Sequence, residues 1–476
     1  MNVSSPNNLM NLTRNTKDRV YKGSNFFECE RPERYKRYSG SKIPLNTLIE
    51  ENSLFSSNPV MQVLRKILSP AFGVTSVKYY KHQPELLRSV PSAGGCYPID
   101  IYLLIRSVKG FPPGVYYYSP IENGLYFVSE QNDFTTLDLT LIELDKELDI
   151  HFIFTISPWR SCWKYSYRGY KYSLIDAGHV MFNVKVILDS LKIDHHIYTQ
   201  VNPQPVRTFL DINDEEVPIG IISFNISEEQ DQSIEVAPPL NSGSCLVDSK
   251  HIPHLFDWGP IYAFEQLSIP NSKPSKDWLC SSKTSPTFDY DTLLKLLTTR
   301  RSSSSFERTY ISKDSLEFVL SGMYKSELPF NIYCVVHSVQ NMIPGIYKYE
   351  DGFKLLKGDE LRESSWEICF NQEIVKNSSI VLYFSSKFEG INDKENAALF
   401  KKYLIEAGFI GQLCYILANH QGLGVSSIGG FYDDKIEEFL ELQPNEEVLL
   451  STVLGLPEKS EKKIKEDLFR LNIPEN

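Results

Sequence analysis

Residues 97–118 of this chain read YPIDIYLLIRSVKGFPPGVYYY, and residues 328–349, which lie 231 positions later, read LPFNIYCVVHSVQNMIPGIYKY. The two stretches match at Pro, Ile-Tyr, Ser-Val and Pro-Gly. Each starts with an apolar, β-branched and aromatic run and continues to a Pro-Gly pair, which is typical of a β-strand followed by a turn. The chain therefore contains an internal repeat, and the repeat decides its fold.

The repeat continues downstream in a helical pattern. Residues 172–193 read YSLIDAGHVMFNVKVILDSLKI and residues 402–423 read KYLIEAGFIGQLCYILANHQGL, at a separation of 230. Apolar residues recur at helical spacing and cover most of the circumference, so we expect both helices to be buried on more than one side. Strands and helices within each unit predict the α+β class.

The repeat also predicts the domain boundaries. We expect one unit to span residues 1–226 and the other to span residues 290–476. Residues 227–289 have no counterpart in the repeat and are rich in Pro, Ser and charged residues, which indicates a linker. HLFDWGPIYAFEQL, residues 254–267 of this linker, is apolar enough to pack on a unit.

Composition excludes several classes of protein. Hydrophobic residues make up 42% of the chain and charged residues 23%, so disorder throughout is excluded. A net charge of −11 argues against nucleic acid as the main partner. The N-terminus has no apolar signal segment, and no run of 18 apolar residues predicts a membrane span. The eight cysteines are far apart, which argues against a metal cluster and favours a reducing, cytoplasmic location.

The two units differ at three short turns. The first unit contains PSAGG at residues 91–95, and the second contains RRSSSSF at residues 300–306 and SSIGGF at residues 426–431. Glycine lets backbone N–H groups approach a ligand, and Arg-Arg-Ser supplies charge and donors suited to a phosphate. Each motif alone also fits a plain turn or a solvated helix end. Together they predict a ligand with a phosphate and a flat polar ring. The motifs that would bind it come partly from the first unit and partly from the second.

These motifs resemble those of the FMN-dependent nitroreductase superfamily. Residues 159–179, WRSCWKYSYRGYKYSLIDAGH, are similar to a block of its SagB-type peptide dehydrogenases, which oxidise thiazolines and oxazolines in ribosomal peptides. The resemblance covers nearly the whole chain except the linker and both termini. It implies two nitroreductase-like units fused in tandem, each with a central mixed or antiparallel sheet flanked by helices. It also implies an FMN-dependent oxidoreductase with one composite FMN site, the mirror-related site being erased.

The resemblance further implies which residues form the site. Lys164 and Tyr165 match the family's paired catalytic residues, a base for an acidic C–H and a proton donor. Without the block, an amphipathic strand or helix edge would be the preferred explanation for them. The expected FMN-binding residues come from both units: Pro91, Ser92, Ala93 and Gly94 against the ring, Arg300, Arg301 and Ser302 at the phosphate and ribityl end, and Ile428, Gly429 and Gly430 at the N5 edge.

Some residues of the motifs depart from this scheme or receive no role. Ser304 stands where the family has a second basic residue, and Arg308 and Lys459 are candidates to replace its charge. Arg160, Arg168 and His179 lie in the same block as Lys164. A lone histidine in an apolar helix is more often a core residue than a catalyst, so none of these three is assigned to the site. No metal ligand is predicted.

Three functions follow as hypotheses. The first is an FMN-dependent dehydrogenase that oxidises azoline rings in a peptide natural-product precursor, with a cyclodehydratase partner that presents the peptide. The second is an NAD(P)H-dependent nitro- or quinone reductase, because the same fold serves both reactions. The third is a non-catalytic scaffold of a peptide-modifying complex, since each unit has lost part of the ancestral site.

Overall fold

The computed structural model of the chain describes residues 6–16, 31–45, 58–80, 83–106, 108, 111–130, 148–226, 240–247, 256–269, 287–326, 328–388 and 393–458. These residues form two α+β units, which confirms the predicted class. The first unit contains, in chain order, α1 (Pro6–Thr13), β1 (Arg37–Tyr38), β2 (Lys42–Pro44), α2 (Pro59–Phe72), β3 (Val74–Tyr80), β4 (Gln83–Arg88), β5 (Ile99–Ile105), β6 (Gly114–Ser119), β7 (Gly124–Ser129), β8 (Ile150–Ile156), α3 (Trp159–Tyr165), α4 (Arg168–Ser190), β9 (His195–Tyr198), α5 (Pro203–Leu210) and β10 (Val217–Phe224).

Two further elements lie in the linker, and the rest belong to the second unit. The linker elements are β11 (Cys245–Val247) and α6 (Gly259–Leu267). The second unit contains α7 (Tyr290–Thr299), β12 (Phe306–Glu307), α8 (Lys313–Tyr324), β13 (Asn331–Val336), β14 (Gly345–Tyr349), β15 (Phe353–Gly358), α9 (Arg362–Ile368), α10 (Glu373–Asn377), β16 (Ile380–Lys387), α11 (Lys394–His420), β17 (Gly424–Ile428), α12 (Asp433–Phe439) and β18 (Glu446–Pro457).

Each unit is built on one antiparallel sheet, and the two sheets share a strand order. The first runs β2-β7-β6-β5-β8-β10-β9, and the second runs β15-β14-β13-β16-β18, with β12 and β17 both paired to β18. The register repeats as well, because Ile101 faces Phe154 in the first sheet and Ile332 faces Phe384 in the second. The sheet predicted to be mixed or antiparallel is therefore antiparallel, and the duplication extends to the strand pairing.

The two long helices predicted by the repeat, α4 and α11, pack against each other at the centre of the molecule. Nearly every side chain of α4 from residue 168 to residue 188 is buried, and α11 is buried along most of its length. Both helices are therefore buried on more than one side, as their apolar pattern predicts. Their contact joins the two units into one hydrophobic core.

The units differ most in front of the central strand. Between α2 and β5 the first unit inserts the β3–β4 hairpin and the PSAGG turn, whereas only residues 325–330 separate α8 from β13 in the second unit. The hairpin is antiparallel and joins neither large sheet. The PSAGG turn follows this hairpin and lies at the boundary between the units.

The segments outside the repeat bind the units together. The linker strand β11 pairs with β1, and α6 buries Ile261 and Phe264 in the common core. Glu265 on α6 accepts a hydrogen bond from Tyr170 Oη of the first unit. It also forms an ion pair with Lys401 Nζ of the second unit, at 2.7 Å. The apolar part of the linker thus packs against both units.

The N-terminal segment also crosses between the units. Arg14 pairs with Glu437 at 2.6 Å and with Glu447 at 3.1 Å, both in the second unit. The predicted first unit, residues 1–226, therefore includes a segment whose described end docks on the second. None of the helices in the described part of the chain is long and apolar enough to span a bilayer.

Candidate active site

A cavity of about 640 Å³ lies between the two units, within the size range of small-molecule and cofactor pockets. Residues of the first unit and of the second unit line opposite walls. The first unit contributes Pro91, Ser92, Ala93, Gly94, Tyr165, Arg168, Tyr172, Ile175, Asp176 and His179. The second contributes Ser302, Phe370, Asn371, Gln372, Tyr415, Leu449, Leu450 and residues 426–432. Nine of the predicted site residues thus meet at one cavity.

The PSAGG turn is held in place by a carboxylate from α4. Ser92 Oγ donates to Asp176 Oδ2 at 2.5 Å, and the Ala93 N–H donates to the same carboxylate at 3.3 Å. Ser92 Oγ also accepts the Tyr97 N–H at 2.8 Å, which closes the turn. Asp176 is therefore the residue that fixes the turn against the cavity, a role that the sequence analysis did not assign to it.

Gly94 lies directly against the two predicted catalytic side chains. Its φ of +59° is in the left-handed region, and a Cβ there would lie within 3.0 Å of both Tyr165 Oη and Lys164 Nζ. Both side chains are half-buried at the end of α3, which stops at Ser166 with a φ of +50°. The structure brings Lys164 and Tyr165 to the PSAGG turn, and of the two only Tyr165 is among the residues that line the cavity.

The IGGF segment is tied to α4 through its backbone. Tyr172 Oη donates to the Gly429 carbonyl at 2.6 Å, and Arg168 Nη2 donates to the same oxygen at 3.1 Å. A Cβ on Gly429 would collide with the Tyr172 ring, at 2.7 Å from its Cζ. Only glycine allows this close approach, so the second unit's loop is set by side chains of the first.

A buried ion pair supports this arrangement. Arg168 Nη1 lies 2.6 Å from Asp433 Oδ2 at the start of α12, and the Asn15 N–H donates to the same oxygen at 2.7 Å. Burial lowers the pKa of Arg168, but Asp433 and the Tyr172 hydroxyl together raise it more, so the net shift is upward and the guanidinium stays charged. Next to it, burial lowers the pKa of Lys171 to about 8.

Ser302 and Tyr415 form the polar part of the second unit's wall. Ser302 Oγ lies 2.8 Å from Tyr415 Oη, and the Ser427 N–H donates to Tyr415 Oη at 3.0 Å. Because the phenol oxygen accepts from the backbone, its own proton is available for Ser302. Ser427 Oγ is buried on the cavity wall and has no hydrogen-bond partner among the described residues.

The two predicted phosphate-binding arginines do not line the cavity. Arg300 is buried and donates to the carbonyls of Ser89, at 2.6 Å, and Arg88, at 3.2 Å, while Arg301 donates to Thr75 Oγ1 and to the Thr75 carbonyl at 3.0 Å. Both side chains therefore fasten the second unit to the base of the β3–β4 hairpin. Their assignment to a phosphate stays a prediction, as do the roles of the other site residues.

The residues suggested to replace the missing basic charge are also placed elsewhere. Arg308 Nε donates to Asn377 Oδ1 at 2.7 Å on the surface, and Lys459 lies outside the described residues. Ser304 is exposed. The cation that the described structure puts on the cavity wall is Arg168, which the sequence analysis left without a role.

Burial changes the proton affinity of two further side chains on the wall. It raises the pKa of Asp176 to about 7, although the hydrogen bonds from Ser92 and Ala93 oppose this shift. Burial lowers the pKa of His179 to about 4, so its imidazole is neutral near pH 7. Residues 168, 172, 176 and 179 follow one face of α4, and this helical spacing was the signal in the sequence that could have identified them.

Comparison with protein families matches residues 55–224 and residues 297–456, each separately, to the Nitroreductase family. The chain belongs to the nitroreductase family. The two matches confirm the tandem arrangement that the repeat predicts, and each match covers one of the two antiparallel sheets.

Two curated relatives show how far the likeness extends. A putative nitroreductase from Methanocaldococcus jannaschii is 31% identical over 153 residues, which is 31% of this chain and 73% of that protein. The microcin B17-processing protein McbC of Escherichia coli is 26% identical over 145 residues, 29% of this chain and 53% of its own length. The chain thus matches about half the length of McbC.

A solved structure shows that the whole fold has a precedent in the family. The crystal structure of a putative nitroreductase from Anabaena variabilis superimposes with a TM-score of 0.78 at 21% identity, over 95% of this chain and 100% of that one. The likeness at this identity establishes the fold, including both units in one chain. The function has to be argued from the cavity.

The cavity residues fit the FMN group that the nitroreductase family implies. The walls are mainly apolar, with a few convergent polar groups, as cofactor sites require. Two buried polar atoms on them, Ser427 Oγ and His179 Nε2, have no partner among the described residues, and such atoms are costly unless a ligand satisfies them. Gly94 and Gly429 also line the cavity, so backbone from both units forms part of its wall.

Proposed function

We propose that this nitroreductase-family chain is an FMN-dependent dehydrogenase that oxidises thiazoline or oxazoline rings in a peptide to thiazoles or oxazoles. The observation that carries the proposal is the contact of Lys164 Nζ and Tyr165 Oη with the Gly94 position on the cavity wall. Two proton-transfer groups at the turn expected to face the flavin are what removal of an acidic ring proton requires. The similarity to McbC, which processes microcin B17, supports a peptide substrate.

FMN would be held by groups from both units. Pro91, Ser92, Ala93 and Gly94 would contact the ring from one side, while Ser302, Ile428, Gly429 and Gly430 would contact it from the other. Bound FMN would supply the electron acceptor, which takes up a hydride from the azoline ring. Arg300 and Arg301 would bind the phosphate only if they gave up some of their hydrogen bonds to carbonyls. Arg168 already lines the cavity.

The protein side chains would handle the proton that leaves with the hydride. Oxidation of the azoline removes one proton and one hydride, so a base is needed. Lys164 would take the proton, and Tyr165 would donate a hydrogen bond to the negative charge that develops on the ring. Tyr165 is held against Tyr172, with ring centroids 5.0 Å apart and ring planes at 87°, so its hydroxyl is oriented before the substrate binds.

The partner proposal follows from the same substrate. Azolines are formed from cysteine, serine or threonine side chains and the peptide backbone by loss of water, so a cyclodehydratase must act before this enzyme. We propose that the peptide arrives from such a partner.

The test is a single-turnover reaction without oxygen. FMN-loaded protein is mixed with an azoline-containing peptide, and bleaching of the flavin absorbance is followed. Lys164→Ala and Tyr165→Phe should slow the bleaching by about 100-fold or more while flavin stays bound. Tyr167→Phe is the matched control, because the Tyr167 hydroxyl donates to the Asp257 carbonyl outside the cavity. Unchanged bleaching in both variants would contradict the assignment, and rapid bleaching by NAD(P)H would favour a nitro- or quinone reductase.

A further inference from the structure

The orientation of the His179 ring leaves one nitrogen available to a ligand. His179 Nδ1 lies 2.8 Å from the carbonyl oxygen of Ile175, one turn earlier on α4. A carbonyl oxygen can only accept, so Nδ1 carries the proton. The ring is neutral near pH 7 because burial lowers its pKa. Nε2 is therefore an unprotonated hydrogen-bond acceptor.

This acceptor is buried at the cavity and unsatisfied. His179 is only 2% exposed and lies on the cavity wall, and Nε2 has no hydrogen-bond partner among the described residues. A buried acceptor without a partner costs about 1–3 kcal/mol. A ligand that offers an N–H or O–H group would remove this cost, whereas an apolar ligand would not.

The internal repeat provides a comparison position for His179. At the separation of 230 the second unit has Phe409, which is fully buried. The residue that makes room for the His179 ring is Gly411 of α11, where a Cβ would lie 2.9 Å from Nε2. Its equivalent in the first unit is Met181, also fully buried.

The two sides of the pseudo-dimer are therefore built differently at equivalent positions. One side has a polar ring beside a glycine, and the other has Phe409 and Met181, two large apolar side chains, at the equivalent positions. Phe409 packs against Phe182 with ring centroids 5.9 Å apart, so it belongs to the core. The acceptor is thus a feature of the retained site alone, which argues against a general packing role for a histidine at this point of the helix.

We propose that His179 Nε2 accepts a hydrogen bond from a donor of the bound flavin and so selects ligands that carry this donor. The inference rests on the proposed FMN site. Two groups of FMN share the required chemistry, the N3–H of the ring and the hydroxyls of the ribityl chain. His179 then acts as a binding residue, and Gly411 acts through it by keeping its ring in place.

The experiment measures flavin affinity by fluorescence quenching, in wild-type protein and in His179→Phe, which introduces the side chain found at the equivalent position. His179→Phe should weaken FMN binding about 10-fold. His179→Gln, whose amide oxygen can accept, should restore part of the loss. Phe409→Leu is the matched control in the other unit and should leave the affinity unchanged. His179→Leu is measured in parallel in case the phenylalanine variant does not fold.

Two flavin analogues distinguish the donors. 3-Methyl-FMN lacks the N3–H, and lumiflavin lacks the ribityl hydroxyls. For FMN, the dissociation constants of His179→Phe and wild type should differ by a ratio of roughly 10. This ratio should fall to about 1 for the analogue that lacks the group bonded to His179, and it should persist for the other analogue. A ratio near 1 for FMN itself, or an equal ratio for all three flavins, would overturn the inference. If wild-type protein binds no FMN, the proposed function fails instead.

Discussion

Gly178 and Gly408 lie back to back where α4 crosses α11: a Cβ on Gly408 would come within 2.7 Å of the Cα of Gly178. The two glycines occupy equivalent positions of the internal repeat, 230 residues apart. The helix crossing therefore marks the pseudo-twofold axis of the molecule. Because the surrounding atoms are backbone, they cannot move aside as a flexible side chain would.

Gly408→Ala should destabilise the protein by about 3 kcal/mol or more, because the added methyl group would force the two helices apart. Thermal or urea unfolding measures this loss. Gly358→Ala is the control, since a Cβ there meets nothing nearer than Leu355 Cδ2 at 4.0 Å. Equal stability of the two variants would show that the helices do not approach this closely.

Two glycines of the PSAGG turn separate the effect of backbone strain from the effect of contact with the proposed catalytic residues Lys164 and Tyr165. Gly94 and Gly95 have φ angles of +59° and +64°, but a Cβ on Gly95 meets only Arg34 Nη1, at 3.8 Å. An alanine in this backbone region costs about 1 kcal/mol at either position. Only Gly94→Ala should also displace Tyr165 and Lys164, so we expect a loss of azoline oxidation of at least 10-fold for this variant alone. Similar activities of the two variants would contradict the placement of the pair.

Ionisation of Asp176 should make stability depend on pH. Its pKa is about 7 in the folded protein, compared with 3.8 as the ordinary value. The folded state therefore binds more protons between these values, and the stabilisation present below pH 4 is lost as the pH rises through 7. The Asn side chain of Asp176→Asn does not titrate. The unfolding free energy of this variant minus that of wild type should therefore rise between pH 4 and pH 7 and stay constant at higher pH.

Urea unfolding of wild type and Asp176→Asn over this pH range tests the prediction. Ser92→Ala provides a second check, because removing this donor to the carboxylate should move the midpoint of the pH dependence upward. If the difference in unfolding free energy between wild type and Asp176→Asn did not vary with pH, the Asp176 carboxyl group would titrate outside this pH range.

Arg168 and Arg160 form a matched pair for separating stability from flavin binding. Each is buried with one aspartate, Arg168 with Asp433 at 2.6 Å and Arg160 with Asp100 at 2.8 Å. Replacing either by methionine should cost about 3–5 kcal/mol, since the aspartate is left buried without its partner. Only Arg168→Met removes a hydrogen bond to the Gly429 carbonyl, so only this variant should also lose affinity for FMN, measured by flavin fluorescence. Equal flavin affinities would remove Arg168 from the site.

The composite site predicts one FMN per chain. Phe409 and Met181, both large and fully buried, take the positions equivalent to His179 and Gly411, so we expect no second flavin cavity there. Release of flavin by denaturation and its quantification against protein concentration measures the ratio. Two FMN molecules per chain would contradict the prediction that the mirror-related site is erased.

The α+β class, the two units and the central helices could all be predicted from sequence. Strand and helix patterns are local, and a repeat with a constant separation does not depend on how the chain folds. The turn motifs could be located for the same reason. Their contacts could not be predicted: Arg300 and Arg301 bond to carbonyls more than 200 residues away, and this depends on how α7 meets the β3–β4 hairpin.

The residues of α4 show the same limit within a single motif. Arg168, Tyr172 and Asp176 are visible as one helix face, but their roles arise from the partners that they meet, Gly429, Asp433 and Ser92. Sequence alone indicated a duplicated nitroreductase-family protein and which turns are candidates for its site. Only the packing of the two units decided which side chains reach the cavity, because hydrogen bonds and burial depend on distances between segments far apart in the chain.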